Sequence, residues 1–239
     1  MLFRSSLLAA RSDVDADRIG ITGISWGGYL TCLVAGLDDR LKVAVPVYGC
    51  GFIHDNSAWI PIFTKMPAEK RTLWIDNFEP SRYLGRARMP VLFVNGTNDF
   101  AYPLDSYQKS YRLVKDRSLC VTVNMPHGHP QGWAPVEIGL FVDQHLRKGK
   151  PLATVESVKR DGGQVEVKFR AAVAVTSAAL HSTTDTGPWQ ERKWQTRPAR
   201  LEGTTARAEL PRERPLVYFL TLTDERKATV STEHETLPK

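Results

Sequence analysis

Residues Gly23–Gly28, with the sequence GISWGG, decide the fold class of this 239-residue chain. An apolar run, Arg18–Thr22, precedes them, and a helix-forming run, Tyr29–Ala35, follows them. A serine between a strand and a helix, flanked by glycines that permit a tight bend, is typical of a nucleophile elbow. The helix N-terminus and the backbone N–H of Trp26 would favour negative charge that develops on a substrate oxygen. The motif therefore predicts that Ser25 is a nucleophile.

Two other interpretations of this motif are open. The first is a glycine-rich turn between a strand and a helix that contains a serine without a chemical role. The second is a dinucleotide-binding turn, which fits less well because GISWGG lacks the G-x-G-x-x-G glycine spacing.

The residues up to about 150 alternate between short β-branched runs and helical patterns. Apolar strands that alternate with helices indicate a parallel sheet covered by helices on both faces. The predicted strands are Arg18–Thr22, Lys42–Val47, Val91–Asn95 and Cys120–Asn124. The predicted helices are Gly27–Leu37, Glu69–Trp74, Leu104–Val114 and Val136–Arg147, with a short amphipathic helix at the start of the chain.

After residue 150 the pattern changes to short alternating runs separated by turn residues. Val165, Val167 and Phe169 would lie on one face of a strand, and Gly162 and Gly163 would form a hairpin turn before it. The predicted strands are 155–159, 165–170, 173–181, 191–195, 204–210, 216–222 and 228–232. We therefore predict an α/β domain at residues 1–150 and a small antiparallel, immunoglobulin-like β-sandwich at residues 151–239.

Composition argues against several classes of partner and site. The net charge is only +6 and is spread over both halves of the chain, so a nucleic-acid partner is not expected. No apolar run approaches the ~20 residues that a membrane span needs. The three cysteines, Cys32, Cys50 and Cys120, include no C-x-x-C pair, which argues against a disulfide framework or a cysteine zinc site. The sequence assigns no cellular compartment.

A nucleophilic serine of this kind needs an acid and then a base further along the chain. Asp99 follows the apolar strand Val91–Asn95, at the end where functional side chains of parallel sheets collect. Its alternative role is to cap the helix that begins near Pro103. Asp105 and Asp143 fall within helical patterns and are weaker candidates for the acid.

The candidate bases are His127 and His129, in the loop after the last predicted strand of the parallel sheet. We favour His129, because Gly128 before it would let the loop bring the ring over Ser25, and His127 would then lie in the substrate pocket. A His-x-His metal site is the rival interpretation, but no further ligand stands at matching spacing. We therefore expect neither a metal nor another cofactor.

The three segments resemble the α/β-hydrolase superfamily. Thr22–Tyr29, Asn95–Asp99 and Pro126–His129 are similar to the branch that contains acetyl xylan esterases, dienelactone hydrolases and prolyl oligopeptidase-type peptidases. The resemblance covers roughly residues 1–150. It implies that Ser25 is the nucleophile, Asp99 the acid and His129 the base.

The chain also departs from this superfamily. Several strands normally precede the elbow, and a loop among them supplies the second oxyanion N–H. Only about 18 residues precede the elbow strand here. We therefore expect the C-terminal half of an α/β-hydrolase sheet, either a fragment, a diverged descendant or a sheet that a partner completes. An exposed sheet edge would favour a homo-oligomer.

The resemblance favours a serine carboxylesterase that acts on small or carbohydrate acyl esters, such as acetyl esters. Trp26 would supply an oxyanion donor, and Tyr48, His127 and Trp133 would line the substrate site. Two alternatives are a prolyl oligopeptidase-like serine peptidase and a hydrolase-derived binding protein without activity.

Overall fold

The computed structural model describes residues 2–239, and a four-stranded parallel sheet lies in the first half of the chain. Its strands are β1 (Gly20–Ile24), β2 (Val43–Val47), β3 (Val91–Asn98) and β4 (Arg117–Pro126). The strands lie side by side in chain order, and every neighbouring pair is parallel. Their carboxyl ends therefore meet at one edge of the sheet, where functional side chains of α/β proteins collect.

Seven helices accompany this sheet in residues 2–239. They are α1 (Leu2–Ala9), α2 (Trp26–Ala35), α3 (Ile60–Lys65), α4 (Ala68–Phe78), α5 (Leu104–Tyr111), α6 (His129–Trp133) and α7 (Glu137–Leu146). The sequence pattern does not indicate α3 or α6, which are only six and five residues long. Within residues 2–239, no helix has the length and apolar character that crossing a membrane requires.

The central strands are buried on both faces. All five residues of β2 are buried, and so are the first seven of β3. This explains the apolar sequences of β2 and of Val91–Val94 in β3, because a parallel strand covered by helices on both sides has no solvent-facing positions. In contrast, β1 is the outer strand among the described residues and is partly exposed. Pairing of two copies across that edge stays a prediction.

The last part of the chain, from residue 154, forms one continuous antiparallel sheet that curls on itself. The strands are β5 (Thr154–Asp161), β6 (Gln164–Arg170), β7 (Val175–Thr183), β8 (Gln195–Glu202), β9 (Thr205–Glu209), β10 (Leu216–Asp224), β11 (Thr229–Ser231) and β12 (Glu235–Leu237). The order is β11-β10-β7-β8-β9-β6-β5, with β12 paired to β10. The buried residues Val165, Val167 and Phe169 pack against β7, β9 and β10 in one apolar core. The predicted α/β part followed by a β-rich part is confirmed.

One predicted strand is wrong. Residues 191–195 do not form a strand, because Trp189–Glu191 is a single 3₁₀ turn and β8 begins only at Gln195. β8 has the sequence QTRPARLE and is largely exposed, so it carries little of the apolar alternation that reveals a strand.

The parallel and antiparallel sheets share apolar contacts. Leu104 and Val121 of the first part form one buried cluster with Trp189, Val217 and Phe219 of the second. The buried carboxylate of Glu137, at the start of α7, also accepts a hydrogen bond from the backbone N–H of Thr229. A boundary near residue 150 between separately folding domains stays a prediction.

Two histidines of the antiparallel sheet region, His181 and His234, are buried. His181 lies between the hydroxyls of Thr196 and Thr221, each 2.9 Å from a ring nitrogen. Burial lowers the pKa of His181 to about 4, and it is also the main cause that lowers the pKa of His234 to about 4. A depressed folded-state pKa means that the unfolded chain binds protons first as the pH falls.

We therefore expect the free energy of unfolding to decrease between pH 6.5 and pH 4, by about 3 kcal/mol for each histidine once the pH is below both pKa values. Urea unfolding at pH 7.5, 5.5 and 4.5 measures this decrease. A His181→Gln variant should show a shallower decrease over the same range, since glutamine does not titrate. An equally steep decrease in that variant would exclude His181 as a cause.

Candidate active site

Ser25 lies on a sharp turn between β1 and α2. Its backbone has φ 58° and ψ −118°. Residues other than glycine rarely adopt this conformation, and contacts with the surrounding structure must hold it in place. The neighbouring glycines allow the backbone segments around Ser25 to approach one another closely. A Cβ on Gly23 would lie 2.5 Å from the backbone of Gly27, and one on Gly28 would lie 2.4 Å from the carbonyl oxygen of Val47. The GISWGG sequence therefore lets the turn pack against β2 while Ser25 stays at the strand end.

His127 connects Ser25 to Asp99. The His127 Nε2 atom is 2.9 Å from Ser25 Oγ, and Nδ1 is 3.0 and 3.1 Å from the two carboxylate oxygens of Asp99. Asp99 is fully buried, and its Oδ1 also accepts from the backbone N–H groups of Ala101 and Tyr102. These bonds fix the carboxylate, which in turn orients the imidazole with Nε2 toward the serine. The structure thus brings together a hydroxyl, an imidazole and a carboxylate in the order that a nucleophile, a base and an orienting acid would need.

The preference for His129 is corrected by this geometry. β4 continues to Pro126, two residues beyond the predicted strand end, so His127 is the first residue past the strand. The backbone of Gly128 is extended, and His129 begins α6 with an exposed side chain. The glycine thus lies after the histidine that contacts Ser25, and His127 does not occupy a separate substrate pocket.

Comparison with known proteins agrees with this site. The prolyl oligopeptidase family model matches residues 4–130, just over half of the chain, and this segment includes Ser25, Asp99 and His127. The chain belongs to the prolyl oligopeptidase family. The predicted membership of the α/β-hydrolase superfamily is thereby confirmed, and the family is one of serine hydrolases.

Individual relatives match only part of their own length. The chain is 26% identical over 153 residues to an uncharacterized peptidase, YuxL, of Bacillus subtilis, which covers 56% of this chain and 23% of that protein. An acetyl xylan esterase from Paenibacillus sp. R4 superposes with a TM-score of 0.52 at 21% identity, covering 61% and 51% of the two chains. A 2,6-dihydroxy-pseudo-oxynicotine hydrolase superposes with a TM-score of 0.50 at 21% identity, covering 63% and 46%. The chain thus spans about a quarter to a half of these relatives, and the two solved structures show the fold.

Tyr48, which the sequence placed in the substrate site, has no exposed surface for contact with a substrate in this structure, which corrects that prediction. Its side chain is fully buried after β2, and its Oη lies 2.9 and 3.1 Å from the carbonyl oxygens of Pro126 and Gly128. Its ring centroid is 4.5 Å from that of His127.

Because β1 and β4 are three strand spacings apart, about 14 Å, the loop after β4 must reach back over the sheet. Tyr48 holds that loop on both sides of the histidine. Its positive φ of 64° at a strand end was not visible in the sequence.

Aromatic side chains lie next to Ser25 in sequence and against His127 in space. Trp26 is half-exposed, and its ring centroid lies 4.7 Å from that of Trp59, which in turn lies 4.9 Å from Tyr102. The half-exposed Phe100 lies 5.4 Å from His127 on the other side. Trp133, on α6, is also half-exposed, and its contact with substrate stays a prediction.

Other groups in the described residues do not compete for this chemistry. Burial raises the pKa of the thiols of Cys32, Cys50 and Cys120, which disfavours the nucleophilic thiolate. Within residues 2–239, no three histidine, cysteine or acidic side chains are grouped closely enough to hold a metal ion. Both ring nitrogens of His127 are already engaged by Ser25 and Asp99.

Proposed function

We propose that this chain carries out acyl transfer to water with Ser25, His127 and Asp99 as its catalytic triad, and that its substrates are small or carbohydrate acyl esters such as acetates. The observation that carries the proposal is the continuous series of hydrogen bonds from Ser25 Oγ through the His127 ring to the buried carboxylate of Asp99.

The chemistry follows from the positions of these atoms. Ser25 Oγ attacks the ester carbonyl carbon while His127 Nε2 takes the hydroxyl proton, and Asp99 stabilises the imidazolium that forms. The carbonyl oxygen becomes an oxyanion, for which the backbone N–H of Trp26 at the start of α2 is a donor. The bond between the carbonyl carbon and the alcohol oxygen then breaks, and His127 Nε2 donates the proton to that oxygen, so that the alcohol leaves. Water, activated by the same histidine, attacks the acyl-enzyme and frees Ser25.

Two considerations favour an ester. An acetyl xylan esterase is among the solved structures with this fold. The half-exposed Trp26, next to Ser25, and Phe100, against His127, also offer apolar surface for contact with a small acyl group. Peptide hydrolysis is the second candidate, since the chain belongs to the prolyl oligopeptidase family and a relative is described as a peptidase.

Fluorophosphonate labelling, followed by intact mass and peptide mapping, tests the proposed triad. We expect one adduct, on Ser25, and none in the Ser25→Ala variant. Turnover of p-nitrophenyl acetate, compared with that of a prolyl p-nitroanilide, then separates esterase from peptidase activity. A folded chain that takes no label would indicate a binding protein instead, and turnover of the anilide alone would replace the ester with a peptide.

Replacement of Tyr48 by phenylalanine should affect both rate and stability. Loss of Oη leaves the carbonyl oxygens of Pro126 and Gly128 without this donor, so the loop that carries His127 is held less firmly. We expect kcat for p-nitrophenyl acetate to fall about tenfold and the free energy of unfolding to fall by about 1 kcal/mol.

Tyr83→Phe is the matched control for this variant, because its hydroxyl donates to the carbonyl of Asn77 on the surface. Equal kcat values for Tyr48→Phe and Tyr83→Phe would show that the Tyr48 hydroxyl does not position His127.

A further inference from the structure

Asn98, immediately before Asp99, connects the catalytic edge of the parallel sheet to the antiparallel sheet. Its Nδ2 donates to the carbonyl oxygen of Gln190 at 2.9 Å and to that of Arg192 at 3.0 Å. Its Oδ1 accepts from the hydroxyl of Thr97 at 2.7 Å. Both amide hydrogens and the amide oxygen are therefore used, which requires an amide in this orientation.

The two acceptor carbonyls belong to a well-anchored turn between β7 and β8. The ring of Trp189 is buried in the apolar cluster that also contains Leu104 and Val121 of the parallel-sheet part. The guanidinium of Arg192 stacks 3.7 Å from the centre of the Trp189 ring, and its Nε donates to the carbonyl of Gly187. The carbonyl oxygens are thus presented to Asn98 from a fixed position.

The hydrogen bonds of Asn98 and Thr97 also connect to β4, the strand that His127 follows. Thr97 is fully buried, and its Oγ1 accepts from the backbone N–H of Asn124 at 2.8 Å. Asn98 itself is paired with Pro126 in the register of β3 and β4, where the ladder shifts between Gly96 and Asn98. Asp99 directly follows Asn98 and His127 directly follows Pro126, so a displacement of Asn98 would move the carboxylate relative to the imidazole.

We propose that the antiparallel sheet positions the Asp99 turn against His127 through Asn98 and the turn at Trp189–Glu191, so that this sheet serves catalysis and not only stability. The proposal rests on the proposed function of Ser25, His127 and Asp99. Asn98 is a positioning residue, because its contacts are to backbone carbonyls and a neighbouring hydroxyl and it acts on the substrate only through Asp99.

Two variants of Asn98 test the proposal. Asn98→Ala removes both donors, and Asn98→Asp keeps the shape but turns a negative oxygen toward the carbonyls of Gln190 and Arg192. Because small misplacements of catalytic groups have large effects on rate, we expect kcat for p-nitrophenyl acetate to fall about 10- to 100-fold in both variants with KM little changed. The NMR signal of the proton between His127 and Asp99 should broaden or disappear.

Gln195→Ala, which removes an exposed amide at the start of β8, is the matched control and should keep the wild-type kcat.

The outcomes separate this inference from the proposed function. A wild-type chain that takes no fluorophosphonate label would overturn the triad itself. A wild-type chain that is labelled, together with Asn98 variants that keep the wild-type kcat and proton signal, would overturn the positioning role alone. Variants that lose only melting temperature would likewise show that Asn98 contributes stability without positioning the acid.

Discussion

Replacement of His127 by alanine is expected to abolish ester turnover by this chain, whereas replacement of His129 is not. General-base assistance contributes up to about 10⁴-fold in rate, and His127 is the group that lies 2.9 Å from Ser25 Oγ. We therefore expect kcat for p-nitrophenyl acetate to fall on the order of 10⁴-fold in His127→Ala. Since His129 is exposed at the start of α6, its loss should change kcat by less than about twofold, as for surface substitutions away from a site.

The two variants form a matched pair, because each removes one imidazole from the same short loop. Both should show the wild-type circular dichroism spectrum and melting temperature to within a few degrees. The arrangement described above would be contradicted by the reverse pattern, in which His129→Ala loses turnover and fluorophosphonate labelling while His127→Ala retains them.

Replacement of Asp99 by asparagine should cause a loss of similar size with little change in structure. Asparagine can still accept from the N–H groups of Ala101 and Tyr102 through its oxygen, but its NH₂ group would then face Nδ1 of His127. The imidazole would respond by carrying its proton on Nε2, the atom that must accept the proton of Ser25. In Ser-His-Asp enzymes this change lowers kcat about 10⁴-fold, and we expect the same order here.

The measurement for Asp99→Asn is kcat against p-nitrophenyl acetate, with fluorophosphonate labelling rates as a second readout. Asn77→Ala, in the exposed part of α4, controls for the general effect of a side-chain change. Turnover by Asp99→Asn within tenfold of the wild-type rate would mean that Asp99 holds the loop but does not set the tautomer of His127.

The positions of Ser25 and Asp99 at strand ends could be predicted from sequence because their signals are local. Glycines around Ser25 and an apolar strand before Asp99 are visible in short windows, and both follow from the rules for parallel sheets. The choice of base failed because it depended on where β4 ends. The strand runs two residues beyond its apolar pattern, and a shift of that size exchanges His127 for His129.

Other features of the site depend on contacts between distant segments. Tyr48 lies 78 residues before Pro126 along the chain, and Asn98 lies 92 residues before Gln190. Nothing in the neighbouring sequence indicates that a tyrosine after β2 holds the histidine loop, or that an asparagine donates to a turn in another sheet. The exposed strand β8 was missed for a related reason, because its pairing partners and not its own pattern make it a strand.

The agreement between strand order and chain order has a consequence for how activity returns after denaturation. Ser25, Tyr48, Asp99 and His127 follow β1, β2, β3 and β4 in turn, so each strand that joins the growing sheet adds one member of the site. A partly folded intermediate that contains only the first three strands would have a nucleophile and an acid but no base. Recovery of ester turnover on refolding would therefore require the docking of β4 and could not precede it, an order that stopped-flow mixing can test.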